Sequence, residues 1–210
     1  MSQILKDNLK EQIVDSAIND LYENGYQGAS MRRIADKANM TVGNLYRYFK
    51  NKDDLVNYII EPVLDKINGV LMKNTNQSFD LVDNHFDINK LSYEEFYKTF
   101  DDIAIELCHL YREHPRVFII VMKSPAINEK FLNWFVDIIK EYITFRIDAK
   151  VDSRNKLEVL SRMYGVSLFA AVQDFFLMNK LNDEDLIHIL QIYFKTCISI
   201  VEMNFNELEV

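Results

Sequence analysis

Apolar residues recur at helical spacing along most of the chain. Leu5, Leu9, Ile13, Ala17 and Leu21 fall on one stripe, with Val14 and Ile18 beside them, which predicts an amphipathic helix. Asn24-Gly25 ends it, because glycine accepts the left-handed cap. Ser30 is a good N-cap for a short second helix, with Ile34, Ala35 and Ala38 facing inward. Asn39 tolerates a tight turn, and Thr41 caps a third helix from Val42 to about Tyr48, anchored by Leu45 and Phe49. A fourth helix starts at Asn51 or Lys52, its first turn carrying Asp53 and Asp54 against the positive end of the dipole.

Beyond it, helical periodicity continues over Leu55–Met72. Lys73–Leu91 is polar and reads as loop. Ser92 opens a helix with Phe96, Phe100, Ile103, Ala104, Leu107 and Tyr111, closed by His114-Pro115. A short apolar helix, Val117–Met122, follows, and Ser124-Pro125 starts another. Two long helices come last, at about Asn155–Met178 and Asp183–Phe205. Strand-like alternation and internal repeats are missing, and three Pro and five Gly in 210 residues leave few breakers. The expected fold class is all-α: an N-terminal three-helix domain at 1–52 and a larger helical domain at 53–210.

Two short helices joined by a tight turn, the second polar on its outer side, form a helix-turn-helix pattern. The outward residues are Val42, Gly43, Asn44, Tyr46, Arg47 and Tyr48. Arg and Asn can bond guanine and adenine edges bidentately, while Tyr and Lys suit phosphates. Ser30, Arg32, Arg33, Thr41 and Lys52 complete the candidate set for double-stranded DNA. Charge alters the picture only when it is read locally. The net charge of −8 argues against a polyanionic partner, yet Ser30–Lys52 carries six basic residues against Asp36 alone. DNA responds to that local field, because salt screens charges over about 8 Å. The acidity lies in 61–210.

These residues carry a resemblance. The stretch Ile13–Val56 is similar to the N-terminal domain of the tetracycline-repressor (TetR) family, with Ala17, Gly25, Ile34-Ala35, Ala38, Thr41, Gly43, Leu45-Tyr46, Tyr48-Phe49, Lys52 and Leu55 at pattern positions. The resemblance implies an all-helical homodimer on a two-fold symmetric operator, with a C-terminal domain that dimerises and binds a small effector. It implies that Tyr46 and Lys52 hold phosphates, that the start of the third helix reads bases, and that the effector releases DNA. There are two departures. Asn39 replaces the usual glycine, and Pro62 interrupts the expected long fourth helix, predicting a kink or break near Glu61.

The last two helices are apolar on more than one side. Tyr164, Leu168, Val172, Phe176, Tyr193, Cys197 and Val201 are the candidate dimer contacts, with burial inside one protomer as the rival reading. Candidates for lining an effector cavity are Phe96, Phe100, Ile103, Phe118, Met122, Trp134, Phe135, Ile138, Tyr142, Phe169, Gln173 and Phe176. Their aromatic character points to a lipophilic effector, and the acidity of 61–210 to a cationic one, with the fourth helix as the lever to the DNA domain. No cofactor or metal is expected. Asp80, Asp83, His85 and Asp87 lack the glycine and closing glutamate of a Ca²⁺ loop. No catalytic motif such as HExxH or GxSxG occurs, which speaks against an enzyme. With no apolar run long enough for a membrane span and no signal-peptide core, a cytoplasmic location is expected. Cys108 and Cys197 are expected to be reduced. The expected function is a ligand-responsive repressor. The alternatives are a helical small-molecule carrier or enzyme with a merely structural N-terminal bundle, and a helical interaction adaptor.

Overall fold

The computed structural model describes residues 3–75, 93–147, 154–178 and 180–203, and the described residues are helical apart from short turns. In chain order the helices are α1 (Gln3–Gly28), α2 (Met31–Lys37), α3 (Val42–Leu45), α4 (Lys52–Thr75), α5 (Tyr93–Glu113), α6 (Pro115–Lys123), α7 (Pro125–Ile147), α8 (Arg154–Met178) and α9 (Asp183–Met203). The polar segment that holds Asp80, Asp83, His85 and Asp87 lies outside the described residues. None of the described helices is long and apolar enough to cross a membrane.

The termini follow local chemistry. α1 breaks at Gly25, whose φ of +66° is open to glycine at no steric cost. α2 ends in a Schellman motif: Asn39 takes a φ of +54°, its amide reaches Asp36 O, and the Met40 amide reaches Ala35 O at 3.0 Å. The Asn24-Gly25 and Asn39 turn signals thus operate as their chemistry requires. α4 opens with reciprocal capping, in which the Asp54 amide donates to Asn51 Oδ1 and the Lys50 amide donates to Asp54 Oδ2, both at 2.8 Å. α4 then runs unbroken through Pro62, so the helix does not end near Glu61. Pro62 and Tyr58 lie at the surface, where water can take up the Tyr58 carbonyl that proline leaves unbonded.

Packing divides the chain into two compact units, 1–66 with 113–124, and 67–112 with 125–210. The core of the first unit includes Ile13, Ala17 and Leu21 of α1 together with Ile34, Leu45, Leu55 and Ile59. It also contains α6, which packs on α1 and carries the buried residues Phe118–Met122. At the start of α6, Arg116 donates to Asn19 Oδ1, while Lys66 bonds Glu113 Oε2 at 2.8 Å. The second unit has an aromatic core. Phe131 stacks on Phe169 at 6.0 Å, Trp134 meets Phe135 edge-on at 4.8 Å, and Tyr111 meets Phe176 at 5.1 Å. α7 and α8 pack closely in this unit. Both cysteines are free, and burial pushes the Cys108 thiol up to about 12.

Candidate functional site

The N-terminal site is built on α3 and the turn behind it. Thr41 Oγ1 accepts the Asn44 amide at 3.2 Å, fixing the start of α3. Leu45 and Phe49 are almost fully buried and act as its anchors. Around them Thr41, Gly43, Tyr46 and Arg47 are exposed, and Val42, Asn44 and Tyr48 are half-buried. A Cβ at Gly43 would meet nothing within 4 Å, so no packing inside the chain requires glycine there. A flush approach by an outside surface gives that absence of a side chain a use.

Asp20 holds the segment that leads into this site, and its carboxylate has no exposed surface. Arg33 Nε and Nη2 clasp its two oxygens, with Nη2 to Oδ2 at 2.8 Å, and the Ser30 amide donates to Oδ2 at 3.1 Å. Nη2 of Arg33 also reaches Gly28 O at 2.7 Å, and Lys37 Nζ stands 3.5 Å from Asp20. Burial pushes the Asp20 carboxyl up. The bonds from Arg33 and Ser30 and the charges of Arg33 and Lys37 outweigh it, leaving the carboxyl below its ordinary value.

Lys52 has a similar duty. Its Nζ donates to Tyr26 O at 2.8 Å and Ala29 O at 3.3 Å, covering carbonyls at the end of α1, and lies 4.5 Å from the centre of the Tyr26 ring. Tyr26 hydroxyl in turn donates to Asp53. Of the eleven residues expected at DNA, then, Arg33 and Lys52 are engaged inside the unit, whereas Arg32, Tyr46 and Arg47 present their side chains outward. Sequence reasoning passed over Asp20, although it occupies an interior position on the Ile13–Ala17–Leu21 stripe, where an acid signals a buried partner.

A family model described as "Bacterial regulatory proteins, tetR family" matches residues 13–59. Residues 13–59 therefore resemble the segment that this family model describes. The chain is 31% identical over 70 residues to the IcaR negative transcriptional regulator of the icaADBC biofilm operon of Staphylococcus aureus (strain Newman), covering 33% of this chain and 38% of that protein. It is 42% identical over 45 residues to the fatty acid metabolism regulator protein of Bacillus subtilis (strain 168), covering 21% of this chain and 23% of that one. The chain thus matches well under half the length of either curated relative. A TetR-like transcriptional regulator from Rhodococcus sp. RHA1 shares the fold, with a TM-score of 0.53 at 15% identity over 87% of this chain and 91% of that one.

A second candidate site, a cavity of about 320 Å³, lies in the second unit. Four of the residues expected at an effector line it: Phe96, Phe100, Ile138 and Tyr142. Ile103, Trp134, Phe135, Phe169 and Phe176 pack as core of the same unit, and Gln173 is half-buried away from the cavity. Phe118 and Met122 sit in the first unit instead, because the short α6 that carries them packs on α1. The residues expected at a dimer contact take inward positions. Tyr164, Leu168, Tyr193, Cys197 and Val201 line the cavity, and Val172 and Phe176 are buried core. The exposed apolar residues of α8 and α9 are Val159, Met163, Val166, Leu177 and Met178, and Ile189, Ile192, Ile200 and Met203, and of these only Ile200 also borders the cavity. α4 and α6 contribute no described residue to the cavity.

Proposed function

We propose that this chain is a DNA-binding transcriptional repressor that acts as a homodimer on a two-fold symmetric operator and is released by a small molecule. The observation that carries the reading is α3 with its turn: a capped, doubly anchored segment that offers Thr41, Gly43, Tyr46 and Arg47 to a groove. On this reading residues 1–52 contact DNA. Arg47 and Asn44 read base edges, Tyr46, Tyr48 and Arg32 bind phosphates, and Val42 and Gly43 allow close approach. Thr41 caps α3 and Ser30 opens α2 beside the backbone, Lys52 adds a phosphate contact at the edge of its α1 cap, and Arg33 supports the site through Asp20. Residues 53–210 hold the effector and the dimer contact.

Self-association is supported by the exposed stripes Val159, Met163, Val166 and Leu177 on α8 and Ile189, Ile192, Ile200 and Met203 on α9. Joining two copies there supplies the pair of recognition elements that a half-site spacing of about 34 Å demands. The negative sign is supported by the Staphylococcus relative, a negative transcriptional regulator by name. Binding chromosomal DNA implies a cytoplasmic location.

Selection from random duplexes followed by footprinting tests the proposal. A palindromic site should emerge, protected on both half-sites and lost with Arg47→Ala. Retention without any preferred sequence overturns the reading.

A further inference from the structure

We propose that the cavity among α5, α7, α8 and α9 binds an uncharged lipophilic small molecule carrying a hydrogen-bonding group that meets the hydroxyls of Tyr164, Ser167 and Tyr193. The inference rests on the reading of this chain as a ligand-responsive regulator and gives that ligand a place and a chemical class. At about 320 Å³ the space falls within the range of small-molecule sites.

The wall decides the class. Among the described residues it contains no Asp, Glu, Lys, Arg or His. A carboxylate or an ammonium taken in there would lose its hydration with no countercharge to replace it, a cost far above that of burying a hydroxyl or carbonyl. The acidity of the chain, which points towards a cation, is therefore not expressed at this site. Aromatic rings make the rigid part of the wall: Phe96 stacks on Tyr142 at 4.4 Å, and Phe100 meets Phe194 edge-on at 5.6 Å. Rings held in this way give an apolar ligand a preformed, poorly hydrated surface.

The polar atoms at the wall are neutral ones. Ser167 Oγ donates to Met163 O at 2.9 Å, which leaves its lone pairs as acceptors. Burial pushes the Tyr193 phenol and the Cys197 thiol up, and the two bond each other, so both keep their protons at physiological pH. Their lone pairs can accept from an alcohol, and the Tyr164 hydroxyl can donate to a carbonyl or ether, but none of these groups can neutralise an ion.

The test uses the full chain and N-phenylnaphthylamine, an uncharged fluorescent probe, with dodecanol, dodecanoate and dodecyltrimethylammonium as competitors below their micellar concentrations. The probe should bind saturably, one per chain, and yield to the alcohol but not to the acid or the cation. Ser167→Phe, at a position that reaches the surface, and Cys197→Trp should each weaken the probe about tenfold or more with the helical circular dichroism retained. Equal competition by an ion, undiminished binding to both folded variants, or no saturable binding overturns the proposal. Operator binding is measured on the same samples. A failed probe result with operator binding intact removes the ligand assignment alone. A positive probe result without operator binding supports the assignment and counts against the repressor reading.

Discussion

A Cβ on Gly165 would lie 2.5 Å from Cγ2 of Val136 and 3.0 Å from that residue's Cα and amide nitrogen. The contact sets how closely α8 approaches α7, because backbone cannot swing aside as the end of a side chain can. Gly165→Ala should force the helices apart at a cost of about 1–3 kcal/mol. Better helix propensity returns up to about 1 kcal/mol of that. The expected outcome is a lower melting temperature by calorimetry. An unchanged or higher one would mean that the pair is not in tight contact.

Asp20 should contribute to stability with a defined pH dependence. Its folded carboxyl titrates below its ordinary value of 3.8, so its contribution is present above that value and is lost as pH falls through the folded pKa. Asp20→Ala, which orphans the Ser30 amide and the inner side of Arg33, should cost about 1–3 kcal/mol at neutral pH. The gap between wild type and variant in thermal melts should close as the pH drops below 3.8. A gap that persists undiminished in acid would contradict the assignment.

Two substitutions near α3 should separate recognition from support. Arg47→Ala leaves an exposed position and should keep the melting temperature while operator affinity drops by about 1–3 kcal/mol. Lys52→Ala removes the cap on Tyr26 O and Ala29 O. It should lower stability as well as flatten the salt dependence of binding by about one unit. Titrations at several salt concentrations, paired with melts, distinguish them. A destabilised Arg47→Ala would show that the residue serves the fold.

The apolar faces of α8 give opposite expectations. Met163 is 62% exposed and Phe176 only 1%. Met163→Glu, made together with Ile192→Glu on α9, should give a folded monomer in sedimentation. Phe176→Asp should unfold the second unit instead, since it buries a charge without a partner. A dimer that survives the double glutamate substitution would move the interface elsewhere.

Much of this protein follows from its sequence alone. Caps and left-handed turn residues act through neighbours only a few positions away, so Asn39, Thr41 and Asn51 mark their helix ends unaided, whereas Ser30 opens α2 without a side-chain cap bond, its amide held instead by Asp20. Helical periodicity likewise identifies the elements, and the basic cluster on a helix-turn-helix spacing identifies the candidate site. Periodicity says that a face is apolar but not what covers it. Only the tertiary structure decided that Leu168, Val172 and Phe176 turn inward while Met163 and Ile192 face out, and that Phe118 belongs with α1. The same limit applies to Arg33 and Lys52. A basic residue near a recognition element looks the same in sequence whether it waits for a phosphate or already holds Asp20 or a helix-end carbonyl, because those partners are distant along the chain and meet it only when the helices pack.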